Sequence, residues 1–329
     1  MFRKSLMLCA SLLFVGCGDA AENEFRDGLP SKEMVAVKDP GGSTGQKLET
    51  DSVRGSALGV TSDFYKLTRG ASVSINGGTA AVLNLVEEIT EFPPTTLEGD
   101  VAVWGPHTDA LSPTTWKLTV TKTADNTYSY KLEGKAKTAA DSEFQAILSG
   151  SHTISLDEQG NRLRNYGNGT LKIDWDAAQK MPEHGNEVGT ADIRYSRINA
   201  QSAASVEADF RNVNDEERPG TRVNADYRYK ETPGAGGEFD LALDKNFDDD
   251  STRNKIEHLT VKTRWAQTGA GRADVKITGG DFSIAAATAS ECWDSTFASQ
   301  YLEASWVVGP IYGNASACGG FSSALYSSL

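Results

Sequence analysis

The residues best placed by type and spacing to do chemistry lie in the run DKNFDDDSTRNKIE, residues 244–257. Asp244, Asn246, Asp248 and Asp250 alternate there, as oxygen ligands do in a calcium loop. Calcium takes six to eight oxygens, and an EF-hand needs glycine at its sixth place and glutamate at its twelfth. Those places hold Asp249 and Lys255. The four alternating residues therefore stand as a loose calcium candidate at a hairpin tip, and a solvated turn explains the same residues. Ser151-His152-Thr153 sets a base beside a hydroxyl, but a triad is assembled through space, so adjacency carries little. Trp104-Gly-Pro-His-Thr-Asp109 holds a histidine and an aspartate in what reads as a turn. No GxSxG elbow, HExxH, Walker A or strand-borne GxGxxG is present. The expectation is a chain that is not an enzyme, with no cofactor beyond calcium.

Bulk properties narrow the class. The chain has 329 residues, 39% of them hydrophobic, and a formal net charge of −13. Nucleic-acid affinity rests on cationic neutralisation of phosphates, so a nucleic-acid partner is excluded as an expectation.

The N-terminus supplies an address. Arg3 and Lys4 precede an apolar run, Leu6 to Val15, too short to span a bilayer and of the right length for a signal-peptide core. It ends Phe14-Val15-Gly16-Cys17, which resembles the lipobox of bacterial lipoproteins, with phenylalanine where leucine is usual. The resemblance implies removal of residues 1–16, diacylglycerol on the Cys17 thiol and acylation of the new terminus. Loss of Arg3 and Lys4 takes the formal charge from −13 to −15. With Gly18 rather than aspartate after the cysteine, the enterobacterial sorting pattern implies the outer membrane, on its periplasmic or cell-surface face. The membrane is then a partner through the lipid anchor. Cys9 leaves with the leader and Cys17 carries lipid, so Cys292 and Cys318 remain as an even pair in an oxidising compartment, and they are expected to form a disulfide.

Three segments follow: a leader at 1–16, a lipidated flexible tether at 17–59, and one β-rich domain at 60–329. The tether is rich in Gly, Ser, Pro, Lys, Asp and Glu and has Phe25 as its one aromatic residue, too little apolar surface to offset ordering. Residues 78–91 read as a helix: Ala81, Leu85 and Phe92 fall near one face, with Val82, Val86 and Ile89 beside it. Pro93 and Pro94 stop it. A further helical turn or two is possible at Asp63–Thr68.

Beyond Pro94 the period changes to two. Trp116, Leu118 and Val120 alternate with Lys117 and Thr119. Further alternating runs end at Leu132, Trp175, Phe210, Tyr229, Leu243, Trp265 and Ile277, with turn-rich stretches between them. Eight or more such strands predict a mainly β, α+β fold: a large curved antiparallel meander or incompletely closed barrel, with the helix on its concave side. The aromatic stretch ECWDSTFASQYLEASW is expected to cap one end of the sheet through Trp293, Phe297, Tyr301 and Trp306.

The chain from Ser74 through the cysteine pair is similar to uncharacterised bacterial lipoproteins, and its layout loosely resembles the half-barrels of periplasmic lipoprotein carriers, which hold acyl chains. Two functions follow. One is a structural or interaction role in the envelope, with an envelope protein as partner. The other is a carrier of an apolar, lipid-like ligand between helix and sheet. No individual ligand-binding residue is identified. Inward Tyr128, Tyr130, Trp175, Tyr227, Tyr229 and Trp265 favour a filled interior, whereas a cavity of about 300 Å³ or more favours the carrier.

Overall fold

Alternation of apolar and charged residues continues further than those eight runs. The structure, a computed structural model, describes residues 17–41, 57–215, 218–247, 252–281 and 284–329. Among the described residues fifteen strands form one curved antiparallel sheet that does not close into a barrel. They are β1 (Thr96–Glu98), β2 (Val101–His107), β3 (Thr114–Ala124), β4 (Thr127–Ala136), β5 (Gln145–Leu156), β6 (Arg162–Asp174), β7 (Thr190–Arg197) and β8 (Ala204–Asn214). Then come β9 (Arg222–Thr232), β10 (Gly236–Lys245), β11 (Glu257–Ala266), β12 (Gly271–Gly279), β13 (Ala286–Trp293), β14 (Ser299–Ala304) and β15 (Pro310–Gly313). Each strand pairs with its sequence neighbours, so loops fall alternately at two rims. Trp175 opens a helical turn, α4 (Trp175–Ala178), instead of ending a strand, and it is still buried.

Register fixes which residues face inward. One row runs Leu118, Leu132, Leu148, Ile173 and Ala191 across β3 to β7, and each is almost fully buried. On the concave side of a curved sheet side chains converge and crowd. Glycines relieve that crowding. Gly134, Gly150, Gly169, Gly237 and Gly271 each sit opposite a large ring, respectively Trp116, Tyr130, Tyr195, Trp265 and Trp293. A Cβ on any of the five would collide with that ring. A chain of neighbouring rings links α4 to further strands: Trp175 to Phe210, Phe210 to Tyr227 and Tyr227 to Phe239 have centroids 6.2, 5.8 and 6.0 Å apart.

With α1 (Cys17–Asp27) and α2 (Lys32–Val35) preceding it, the long helix α3 (Asp63–Thr90) lies in the trough. Its 28 residues span about 42 Å. The expected helix at 78–91 and the turns at 63–68 are thus one element, joined through Gly70, Gly77 and Gly78, whose helix-weakening effect hid the continuity. Ser62 caps it through the Tyr65 N–H, 3.1 Å away, and the buried Glu291 carboxylate accepts the Phe64 N–H at 2.8 Å. A negative charge suits the unsatisfied N–H groups of a helix N-terminus. At the far end the Trp104 indole donates to the Phe92 carbonyl at 2.8 Å. The helix therefore crosses the strands from β13 to β2. Beyond Asp63 at its first position, its buried residues, Tyr65, Thr68, Ser72, Ile75, Thr79, Leu83 and Val86, recur every three or four positions. Leu83 and Val86 are buried; Ala81 and Phe92 of the expected face are exposed.

The expected tether is not free of the domain over residues 22–41. Phe25, Leu29, Met34, Val35 and Val37 are core residues. The segment runs antiparallel to α3: Lys32 reaches Asn84 at 2.8 Å, the Val37 N–H donates to Asn76 at 2.9 Å, and Asp39 pairs with Arg69 at 3.3 Å. Glu24 in α1 pairs with Lys122 and Arg162 at 2.9 and 2.8 Å and accepts from the Tyr128 hydroxyl at 2.7 Å. Its apolar content is small, but the trough supplies the apolar surface it meets.

The C-terminus covers the opposite, convex face. The disulfide Cys292–Cys318 joins β13 to a 3-10 segment, Ala315–Phe321. Beneath it Arg272 and Asp274 are buried; the Arg272 Nε donates to Asp274 at 2.8 Å, and the Leu325 N–H donates to the same carboxylate at 3.2 Å. The expected aromatic cap is mostly sheet. Trp293 ends β13, Tyr301 lies in β14 beside the disulfide, and Phe297 stacks on Tyr65 at 4.2 Å. Trp306 caps nothing; it is 63% exposed.

Candidate ligand groove

The trough is filled unevenly around α3. Residues 22–41 occupy the flank toward Tyr128 and Glu231. The other flank holds a groove of about 710 Å³, within the range of small-molecule sites. Val73, Gly77, Ala81, Val82 and Leu85 of α3 form one wall. Trp116, Ile147, Trp175, Ala178 and Met181 form the other. Between these walls no acidic or basic side chain intervenes. Glu183, His184 and Glu187 stand along the lining as its ionisable residues.

Local structure holds these walls. The Asp174 carboxylate caps α4 by accepting the Ala177 N–H at 2.8 Å, which fixes Trp175 and Ala178. The Asp176 carboxylate accepts the Gly189 N–H at 2.8 Å. Between them the Gln179 amide donates to the carbonyls of Gly185 and Glu187 at 2.7 and 2.8 Å, folding the loop that carries His184 back on α4. On the helix wall, a Cβ at Gly77 would meet nothing within 4 Å, and one at Gly78 would touch Trp175 at 3.8 Å. Neither glycine is demanded by close packing. The sequence signal for this wall was the apolar stripe containing Ala81 and Leu85, which lines the groove, with Leu85 half-buried and also packed against the core. Ile147 and Met181 had no recognisable signal.

The chemistry-bearing residues read from the sequence are not brought together. Ser151 and His152 are consecutive in β5 and so point to opposite faces. Ser151 bonds the Thr170 hydroxyl at 3.0 Å. His152 lies fully buried on the concave side, its Nδ1 2.9 Å from the Tyr195 hydroxyl, and burial pushes its pKa down to about 4. It is a neutral core residue. His107 and Asp109 form an exposed pair at 2.9 Å. Of the calcium candidates, Asp248 and Asp250 lie outside the described residues. Asp244 accepts from His258 at 2.7 Å, which raises the imidazole's pKa, and the Asn246 amide donates to the Arg253 carbonyl at 3.0 Å. Among the described residues no three His, Cys, Asp or Glu side chains are grouped to hold a metal. Cys17 is the first residue of α1, and the leader lies outside the described residues.

A second cleft, of about 320 Å³, opens beside Lys38, Glu231, Trp265 and Phe297. Lys38 is paired there with Glu231 at 3.0 Å. No helix among the described residues is long and apolar enough to cross a membrane. No protein-family model, curated protein or solved structure matches this chain.

Proposed function

We propose that this chain is a non-enzymatic, lipid-anchored envelope protein that holds an elongated apolar molecule, such as an acyl chain, in the groove between α3 and the sheet. The observation that carries the reading is the groove itself: about 710 Å³ with apolar walls, where the mirror-image flank of the helix is filled by the chain's own residues 22–41. A helix whose one job was to plug the trough would need a single apolar face. α3 has two. Its second face would meet the tail of a ligand, with Glu183, His184 and Glu187 available to a polar end.

The address rests on the leader-like residues 1–16 and on Cys17. Acyl chains on that thiol would place the protein on a membrane, and the sorting pattern favours the outer one. Each buried methylene contributes about 0.8 kcal/mol, so two or more chains suffice for stable anchoring. A purely structural or interaction role draws support from the filled concave face, where Tyr128, Tyr130, Trp175, Tyr227, Tyr229 and Trp265 are all buried. The two readings separate on one measurement. The soluble form from Gly18 onward, recovered from its own host, is examined by native mass spectrometry. A co-purifying lipid supports the carrier; a bare protein mass, unchanged after incubation with fatty acid or phospholipid, refutes it.

A further inference from the structure

Because the sheet is a continuous meander, every second loop falls at the same rim. The loops after β2, β10, β12 and β14 share the rim on which Trp116 and Trp175 lie. Four of these loops expose a large apolar residue or several: Leu111, Ile256, Ile284, and the run Trp306 to Val308. The last is the strongest. Trp306 is 63% exposed and Val308 is fully exposed at the tip of the β14–β15 hairpin. The hairpin is built to present them. The Ser305 N–H donates to the Thr288 carbonyl at 2.8 Å, the Thr288 N–H donates to the Ser305 hydroxyl at 2.9 Å, and the Val307 N–H reaches the Ala304 carbonyl at 3.1 Å. Gly309 has φ +80°, the left-handed conformation that closes the turn.

Charge points to the partner. In a chain that is 23% charged, the last 26 residues, Ala304 to Leu329, contain no acidic or basic side chain. A protein partner for an exposed sheet edge would be expected to add a strand. Here the edge strand β15 has four residues, begins with proline and carries a register shift against β14, three features that blunt strand addition. What remains is an uncharged tip with an indole and two valines. Tryptophan favours the membrane–water boundary, where its ring is buried and its N–H stays wet.

We propose that the β14–β15 hairpin is a bilayer-docking tip that inserts Trp306, Val307 and Val308 into the interface of a phospholipid membrane. Acidic loops elsewhere on the same rim, such as Glu183 to Glu187, make zwitterionic headgroups the better surface. The docking does not depend on the groove being a ligand site.

Fluorescence tests this on the full chain bound to phosphatidylcholine vesicles whose acyl chains carry bromine, a short-range quencher of indole. Trp104, Trp265 and Trp293 are buried in the core, but Trp116 and Trp175 line the groove and would be quenched by a brominated chain held there. Both are therefore replaced by phenylalanine in every protein compared, the otherwise wild-type one included, and quenching should then come from Trp306 alone. Quenching in the wild type that disappears in Trp306→Phe, and that falls at least tenfold in tip partitioning in Val308→Asp, supports the proposal. Val308→Ser, at the same fully exposed site, should give an intermediate loss with unchanged circular dichroism. No quenching in the wild type, or equal quenching in Trp306→Phe, overturns it. So does a concentration-dependent dimer in solution that Val308→Asp dissociates, which would make the tip a contact between copies of this chain. A negative native mass spectrum would defeat the groove reading and leave this result untouched.

Discussion

Gly77 offers the sharpest test of the groove. It lies in the interior of α3, where glycine weakens a helix by about 0.5–1 kcal/mol relative to alanine. Glycine is usually kept in a helix because a neighbour approaches too closely for a Cβ. That reason fails here, since a Cβ at Gly77 would meet nothing within 4 Å. Gly70, on the same helix but away from the groove lining, is equally unobstructed and serves as the control. Both Gly→Ala changes should therefore stabilise the fold by about 0.5–1 kcal/mol, a rise in Tm of about 1–2 °C for a domain of this size. Urea unfolding, at constant m, resolves the difference better than melting. Gly77→Leu carries the argument further. It keeps a strong helix former at the position and projects a side chain into the groove. The expected result is a protein at least as stable as wild type that retains a tenth or less of the co-purifying lipid, while Gly70→Leu retains it all. If Gly77→Ala destabilises the protein, the glycine has a packing role. If Gly77→Leu holds lipid as well as wild type, the groove is not the site.

Four other outcomes follow from the structure. Burial holds His152 at a pKa of about 4 against an ordinary 6.5, so the unfolded chain binds a proton over that interval and the native one does not. Stability should fall by about 3 kcal/mol as pH drops from 6.5 to 4, and His152→Gln should flatten that part of a urea-denaturation profile. Glu24 moves the other way: its bonds to Lys122, Tyr128 and Arg162 hold its pKa at about 2, so its contribution is present above pH 4.5 and is lost as pH falls toward 2. After solvent screening this amounts to roughly 1 kcal/mol, and Glu24→Gln should speed amide exchange in α1 at neutral pH while leaving β6 protected. The disulfide spans 26 residues, and Cys292→Ser with Cys318→Ser should cost about 3 kcal/mol, read as a lower urea midpoint without reductant. Gly150→Ala, which drives a Cβ onto Tyr130 and the Thr170 carbonyl, should destabilise by about 1–3 kcal/mol, visible in the melting temperature.

Much of this architecture is legible in residue order, and the exceptions share a cause. β3, β4 and β9 to β12 announce themselves by setting Leu, Val, Tyr and Trp against Lys, Thr, Asp and Arg. β7 carries the same signal in Ala191, Ile193 and Tyr195 against Asp192 and Arg194. β5 does not: its inward places include Gly150, which is glycine because Tyr130 in the next strand covers it. The concave row is shared out between partners, so one strand shows a ring and its neighbour shows nothing. α3 fails as a continuous signal for a related reason, since its central face against the sheet is Thr68, Ser72 and Thr79. These hydroxyls bond helix carbonyls at i−4, and Thr68 also meets Thr263 at 2.7 Å. Buried polar residues of this kind look exposed in a hydropathy pattern. The groove was half visible, as an apolar stripe whose expected partner was the concave face of the sheet. The wall opposite, from β3, β5 and α4, is assembled from segments some 60 residues apart in sequence and leaves no local trace.

Residues 22–41 carry the consequence with the widest reach. Composition alone makes them a tether, because five apolar residues cannot form a core by themselves. Packed between α3 and the sheet, they need only complete one. This changes how an anchor at Cys17 would orient the domain. α1 is clamped through Glu24 at Lys122 and Arg162, at the rim opposite the one that carries Trp306. Strands of about ten residues separate the two rims by roughly 33 Å. With α1 clamped, Glu24 and the β14–β15 tip lie at opposite rims, and a membrane anchor on the α1 segment and the tip would address one bilayer only if α1 let go. On the proposed anchor and docking tip, the Glu24 cluster would be the element that decides between one membrane and two. A carrier must at some stage present its groove to a second surface, and the groove opens on the same rim as the tip. On the proposed carrier role, the arrangement that would suit transfer is the clamped one, in which an anchored end would stay behind while the apolar rim is held out toward a second surface.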